Sequence, residues 1–217
     1  MRLTDTHCHL DLDQFDADRD EVIQRAAKAG VSRILIPALT LDSSLAAVKL
    51  AAAHPMLFAA IGVHPNDAQT WNESATDELR ALASRSDKVV SIGEIGLDYY
   101  WDSAAHNLQQ RILREQLALA AELNLPVVIH LREKDNAGQG PASSDLMEIL
   151  EEWMAGLRSR NEALAERPGV LHSFSGSGEL ARQPSTLIFT WALQGRSPSK
   201  MPVTGGNWSH RFRSNGF

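Results

Sequence analysis

Short β-branched and apolar runs alternate with amphipathic stretches through most of the chain, and this alternation restricts the fold more than any other feature of the sequence. The runs predict strands over residues 3–9, 31–37, 57–62, 88–93, 126–130 and 169–172. The amphipathic stretches predict helices over residues 16–29, 43–54, 75–84, 104–123, much of 144–165, and the start of another over 179–182. Such β-then-α units in series predict the α/β class, with a parallel sheet covered by helices.

Six βα units predict an incomplete (β/α)8 TIM barrel, because the full barrel takes about 250 residues and this chain has 217. We therefore predict a partial barrel domain over residues 1–182. The composition changes afterwards, since residues 183–217 are rich in Ser, Gly, Arg and Trp and show no period of a helix or strand. This segment is predicted to be an aberrant, disordered tail.

The sharpest local motif is Asp5-Thr6-His7-Cys8-His9, at the end of the first predicted strand. Residues alternate between the two faces of a strand, so His7 and His9 are expected to share a face and Cys8 to point the other way, into the core. Two imidazoles so placed can chelate one cation. A single His-x-His pair is equally compatible with a structural role, but a buried polar row needs partners, and a metal supplies them.

Other polar residues follow the later strands in the same way. Glu94 directly follows the fourth predicted strand, His130 and His172 end the fifth and sixth, and His64 follows the third. Active sites of (β/α) barrels lie at the carboxyl ends of the strands. Five of the eight histidines occupy such positions, which favours a divalent-metal site; His54, His106 and His210 do not.

The ligand types indicate the chemistry. Mixed imidazole and carboxylate ligands suit Zn²⁺, Mn²⁺ or Mg²⁺. A carboxylate such as Glu94 can bridge two such ions, which would activate a water molecule for hydrolysis without a covalent protein intermediate.

Five segments, in order along the chain, resemble the TatD-type metal-dependent deoxyribonucleases of the amidohydrolase superfamily. They are DTHCHLD (5–11), IGVHP (61–65), IGEIGLDYY (92–100), LPVVIHLRE (125–133) and LHSFSG (171–176). The resemblance implies hydrolysis of DNA phosphodiester bonds, often from a 3′ end, with two divalent ions. Related phosphotriesterase-like and dihydroorotase-like enzymes use a carbamylated lysine where this chain has Glu94. Lys88 lies at the start of the fourth predicted strand, not at the carboxyl end where such a lysine would be needed.

Position by position, the resemblance implies the following roles. His7 and His9 are ligands of a first metal, Glu94 is the bridging ligand and catalytic carboxylate, and His130 and His172 are ligands of a second metal. Residues expected to contact the substrate or support the ligands are His64, Asp98, Tyr100, Ser173 and Ser175.

The chain departs from the family pattern in two places. Residues 136–144 are expected to form an inserted flexible loop. The family's C-terminal metal-binding aspartate is absent, because no aspartate follows Asp145. We therefore hypothesise that the chain from residue 183 or 184 onward is read out of frame. A non-catalytic remnant, or an amide or ester hydrolase of the same superfamily, are the alternatives to a nuclease.

The charge distribution bears on substrate and partners. The net charge is −6, and residues 183–217 carry four basic residues and no acid, which leaves −10 on the preceding 182 residues. DNA would therefore be held through bound cations rather than by a broad basic surface. The single cysteine, Cys8, and the lack of a long apolar run predict a cytoplasmic protein without a membrane contact. No obligate protein partner is inferred.

Overall fold

In the computed structural model, seven parallel strands form one sheet in the order of the sequence. The structure describes residues 2–160 and 162–172 and the backbone of residues 190–191. The strands are β1 (Leu3–Asp5), β2 (Val31–Pro37), β3 (Leu57–Ile61), β4 (Val89–Asp98), β5 (Val127–Arg132), β6 (Gly169–His172) and β7 (Thr190–Trp191). Each strand pairs only with its chain neighbours among these residues, so the described sheet is open between β1 and β7.

Five α-helices connect the strands up to β6. They are α1 (Arg19–Lys28), α2 (Leu41–Ala53), α3 (Ala75–Ser84), α4 (His106–Leu123) and α5 (Pro141–Ser159). Short 3₁₀ segments cover Asp13–Phe15, Pro65–Thr70, Lys134–Asn136 and Ala163–Glu166. This βα series confirms the predicted α/β class and the incomplete barrel. The predicted helix start at 179–182, and all of the predicted tail except the backbone of β7, lie outside the described residues.

The core lies between the curled sheet and the helices. Branched side chains dominate the strands, as expected of strands buried on both faces; Ile61, Ile92 and Ile129 are fully buried. From the helices, Leu117 and Leu150 join the same cluster. No helix in the described part of the chain is long and apolar enough to cross a membrane.

A glycine sets the distance between β4 and β5. Gly96 pairs with His130 and has a φ of 147°. A Cβ at this position would lie 2.0 Å from the His130 carbonyl oxygen. Only glycine combines this backbone conformation with so close an approach, and the contact fixes His130 beside the second half of β4.

Strand ends differ from the predicted ones at two places that carry polar residues. β1 ends at Asp5 rather than at residue 9, because the Asp5 carboxylate accepts the His7 backbone N–H at 3.1 Å and takes it out of the ladder. Pairing resumes at Cys8, whose N–H donates to the Leu35 carbonyl. β4 continues to Asp98 instead of ending at residue 93, so Glu94 lies within the strand, where the register against β5 shifts.

The predicted flexible loop at 136–144 is wrong at its C-terminal end, because α5 begins at Pro141. Glu133 explains this start. Its buried carboxylate accepts the backbone N–H groups of Ala142 at 3.2 Å and Ser143 at 2.6 Å, which no helical carbonyl can satisfy. A carboxylate at a helix N-terminus also interacts favourably with the helix dipole.

Candidate metal centre

Glu94 occupies the centre of the polar cluster predicted from the sequence. Its side chain is 4% exposed, and its two carboxylate oxygens point to different partners. Oε2 lies 3.3 Å from His7 Nε2 and 3.9 Å from His9 Nε2. Oε1 accepts a hydrogen bond from His130 Nδ1 at 2.9 Å. One carboxylate from β4 therefore joins residues that follow β1 to a residue of β5.

On the Oε2 side, the two histidines predicted to share a face do so. His7 Nε2 and His9 Nε2 are 3.1 Å apart, while Cys8 packs against the hydrophobic core. His172, at the end of β6, stacks on the His7 ring with a centroid distance of 3.4 Å and an interplanar angle of 9°. We call His7, His9 and Glu94 the first donor group.

On the Oε1 side, His130 lies between two carboxylates. It donates from Nδ1 to Glu94 and from Nε2 to Asp98 Oδ2 at 3.1 Å. His64 contacts the His130 ring edge to face, with centroids 4.4 Å apart. Asn66 donates its side-chain N–H to Asp98 Oδ2 at 3.1 Å and its backbone N–H to His64 Nδ1 at 3.1 Å. We call His64, Glu94 and His130 the second donor group.

The two sides differ in protonation. Burial raises the pKa of Glu94, but the hydrogen bonds and charges of His130 and His7 outweigh it and hold that pKa well below its usual range. Burial opposes the charged form of His130, yet its bonds to Asp98 and Glu94 raise its pKa to about 9. Burial lowers the pKa of His9, helped by the neighbouring His7. At neutral pH His130 is thus an imidazolium and His9 a neutral imidazole.

Two more histidines stay neutral at physiological pH. Burial, followed by the charge of His130, lowers the pKa of His64 to about 4. Burial, followed by the charge of His7, lowers the pKa of His172 to about 4, and the ring also interacts electrostatically with Glu94 and His130. His64 Nδ1 accepts the Asn66 N–H, so the neutral His64 ring carries its proton on Nε2 and can donate a hydrogen bond.

Both donor groups have the spacing that a metal ion requires. The ligand atoms in each lie within 4.8 Å of one another. Donors bound about 2.0–2.2 Å from a tetrahedral ion are separated by about 3.4 Å. The three separations in the first donor group, 3.1, 3.3 and 3.9 Å, scatter around that value. Within the described residues, His172 belongs to neither group by this criterion.

Three amides that sequence reasoning did not single out hold the site together, two of them buried and one, Asn66, half-buried. Gln116 in α4 accepts the Val63 N–H and donates to the Val63 carbonyl, which fixes the loop before His64. Gln109, also in α4, accepts the Asp98 N–H and donates to the Asp98 carbonyl. Asn66 is the third. The two glutamines could have been found from the sequence as polar residues on the apolar, buried face of a predicted helix.

The remaining predicted residues separate into two sets. Asp98 is 1% exposed, and its carboxylate accepts the hydrogen bond from His130 Nε2. Tyr100 lies just beyond, with the Arg132 guanidinium 3.8 Å from its ring centroid. Ser173 and Ser175 fall outside the described residues, as does His210.

Comparisons with known proteins identify relatives of this chain. The family model of the TatD related DNases matches residues 4–199, which extends past residue 182. A Bacillus subtilis protein named as an uncharacterized metal-dependent hydrolase, YabD, is 37% identical over 205 residues, covering 94% of this chain and 71% of its own. The 3′-5′ ssDNA/RNA exonuclease TatD of Cronobacter sakazakii is 40% identical over 171 residues, covering 78% of this chain and 58% of its own.

A solved structure of a TatD homologue is also similar to this chain. The TatD homologue YjjV of Escherichia coli superposes with a TM-score of 0.73 at 34% identity, over 88% of this chain and 67% of that one. The chain thus spans between 58% and 71% of the length of these three relatives.

Proposed function

The chain belongs to the TatD related DNase family, and from this premise we propose that it is a divalent-metal-dependent hydrolase that cleaves phosphodiester bonds of DNA. The observation that carries the proposal is the position of Glu94, whose two oxygens face two separate sets of imidazoles. A carboxylate shared in this way is the arrangement that two-ion hydrolytic sites use. The name of the Cronobacter relative, an exonuclease on single-stranded DNA and RNA, supports the substrate class.

We assign the metal ligands as follows. His7, His9 and Glu94 hold one divalent ion, and Glu94, His130 and His172 hold a second, with Zn²⁺, Mn²⁺ and Mg²⁺ as the candidates. The place of His172 follows the resemblance to the family, whereas His64, the third member of the second donor group, is assigned to the substrate. When bound, such a pair supplies a water molecule of lowered pKa and neutralises charge on the phosphoryl oxygens. The remaining steps belong to the residues of the chain.

Those residues position the ligands and the substrate. The Asp98 carboxylate accepts the His130 Nε2 hydrogen bond and so fixes the ring orientation, as partners of ligating histidines generally do. The Asn66 amide in turn holds Asp98. We propose that the Nε2–H of neutral His64 donates to a phosphate oxygen of the substrate. Tyr100 contributes a substrate contact, and Ser173 and Ser175 are proposed as further phosphate donors.

The test is a nuclease assay with a panel of metals. The purified chain is incubated with single-stranded DNA labelled at the 5′ or the 3′ end, with Mg²⁺, Mn²⁺ or Zn²⁺, and with EDTA as the control. We expect metal-dependent release of nucleotides that the chelator abolishes. Hydrolysis of small esters or amides with no cleavage of DNA would instead support an amide or ester hydrolase of the same superfamily.

A second candidate, a non-catalytic remnant, is favoured by one sequence observation: no aspartate follows Asp145. This candidate predicts metal binding at the first donor group without turnover of any substrate in the panel. Chelator-sensitive cleavage of DNA by the chain as it stands would exclude it.

A further inference from the structure

Two aromatic rings and a guanidinium lie together immediately beyond β4, outside the donor groups. The Tyr100 and Trp101 rings meet edge to face with centroids 4.7 Å apart. The Arg132 guanidinium carbon lies 3.8 Å from the Tyr100 centroid and 5.6 Å from the Trp101 centroid. We call Tyr100, Trp101 and Arg132 the aromatic platform.

Trp101 opens the platform to solvent, while Tyr100 and Arg132 are half-buried. Trp101 is 50% exposed, the highest value among the large exposed hydrophobic residues in the described part of the chain. Its neighbour Tyr99 behaves in the opposite way. Tyr99 is 4% exposed, donates its hydroxyl to Asp145 at 2.6 Å and stacks on His106. Core packing thus accounts for the position of Tyr99, whereas half of the Trp101 surface faces solvent.

Hydrogen bonds hold the platform in place. Asp98 Oδ1 accepts the backbone N–H groups of Tyr100 at 3.0 Å and Trp101 at 3.3 Å. Arg132 donates its Nε–H to the Asn136 side chain at 3.0 Å, and its carbonyl accepts the Tyr99 N–H at 2.9 Å. The backbone that carries the two rings, and the guanidinium beside them, are therefore held before a ligand arrives, which reduces the entropy cost of binding.

Asp98 also joins the platform to the candidate metal centre. While its Oδ1 binds the platform backbone, its Oδ2 accepts the hydrogen bond from His130 Nε2. A substrate group on the platform would thus lie next to the residues that we assign to the reaction.

The chemistry of the platform selects its ligand. Exposed aromatic faces beside an arginine bind planar bases by stacking, with each stacked base contributing a binding energy that tolerates any sequence. A base in a duplex is already stacked and paired on both sides, so only an unpaired base can lie on the rings. The net charge of −6 leaves little general attraction for phosphate, so stacking has to carry much of the binding.

We propose that the aromatic platform binds an unpaired base of the nucleic-acid substrate beside the metal centre and thereby selects single-stranded DNA over duplex. This inference rests on the proposed function for the identity of the substrate. It adds the residues that recognise the strand.

The test measures binding separately from hydrolysis. Fluorescence anisotropy follows a labelled single-stranded DNA of about 12 nucleotides, made with nuclease-resistant phosphorothioate linkages and added to the protein in Mn²⁺. Trp101→Ala is expected to weaken binding by about 5- to 150-fold, the range for loss of one stacked base. Trp101→Phe should retain most of the affinity. The matched control is Leu45→Ala, since Leu45 is a 44% exposed residue on α2.

An oligonucleotide that lacks bases at its terminal positions gives the second arm. Wild-type protein should bind it as weakly as Trp101→Ala binds the normal strand, and the variant should not distinguish the two. Equal binding of the normal strand by wild type and Trp101→Ala would overturn the proposal. So would equal wild-type affinity for single-stranded and duplex DNA. Because the strand resists cleavage, these outcomes measure binding alone and are separate from a failure of the nuclease assay, which would count against the proposed function.

Discussion

The two sides of Glu94 are built differently, although each presents imidazole to one oxygen of the same carboxylate. On the Oε2 side, His7 and His9 follow a three-residue edge strand, β1, and sit in irregular backbone. On the Oε1 side, His130 lies within β5 and is held through Asp98, which β4 and two side-chain amides support. The first donor group is thus shaped by local chain geometry, and the second by a network of hydrogen bonds.

Protonation follows from this difference. Burial, helped by the neighbouring His7, lowers the pKa of His9, whereas hydrogen bonds to two carboxylates outweigh burial and raise the pKa of His130. The first donor group therefore offers His9 in the form that a metal requires at neutral pH. The second has to release a proton from His130 before that ring can bind an ion. The comparison predicts two sites that fill with different affinities and different pH dependence.

The largest effect is expected from the residue that both groups share. Glu94→Gln removes the charge that faces both sides, so we expect metal affinity at both sites and hydrolytic activity to fall by more than about 100-fold, the upper range for loss of a supporting partner alone. Calorimetric titration with Mn²⁺ measures the affinity. Glu151→Gln, an exposed carboxylate on α5, is the matched control. If metal affinity fell at only one site, Glu94 would not be a ligand of both ions.

Single histidine variants separate the two sides. His7→Ala should reduce the number of bound Mn²⁺ ions by about one and leave the other site intact, and His130→Ala should do the same for the opposite site. Electron paramagnetic resonance of bound Mn²⁺ counts the ions. His54→Ala, on the C-terminal side of α2 and away from Glu94, should bind as wild type. If either variant lost both ions, the two groups would form a single inseparable site.

The supporting network should matter on one side only. Asn66→Ala removes the side-chain hydrogen bond to Asp98, and loss of such an outer partner costs about 10- to 100-fold in metal affinity. We expect that decrease at the second site and none at the first, by the same titration. Asn107→Ala, an exposed amide in α4, serves as control. An equal decrease at both sites would contradict the separation of the two networks.

The pH dependence gives the smallest expected effect. The His130 pKa is raised to about 9, so below that pH its proton competes with the metal. Affinity at the second site should rise up to about tenfold per pH unit and level off above pH 9. Titrations in two buffers of different ionisation enthalpy, at about pH 7.5, should report one proton released per ion there. If the number of protons released per bound ion stayed constant from about pH 7 to pH 10, this assignment would be refuted.

Much of the fold, and the convergence of imidazoles on Glu94, could be predicted because both follow from periodicity. Val31–Pro37 and Ala75–Ser84 have the predicted bounds, since continuous β-branched and amphipathic patterns define them. Polar residues at the ends of such strands then converge, as His64, Glu94 and His130 do. The end of β1 depends on the Asp5 side chain, which accepts the His7 backbone N–H. The end of β4 depends on a register shift against β5. Neither feature leaves a periodic signal in the sequence.

The supporting residues could not be predicted for a related reason. Gln109 and Gln116 face the site from α4, and their partners are 11 and 53 residues away in the chain. The start of α5 likewise depends on Glu133, whose carboxylate binds N–H groups across the segment predicted as a loop. Contacts of this kind require the three-dimensional arrangement, because local pattern carries no information on which polar side chains meet.

The most direct test of the central claim, that one carboxylate serves two metal sites, is anomalous diffraction from crystals grown with Mn²⁺. We predict two anomalous peaks about 3.5–4 Å apart, one beside His7 and His9, the other beside His130, each within bonding distance of a different oxygen of Glu94. A single peak, or a pair in which only one ion contacts Glu94, would contradict the account.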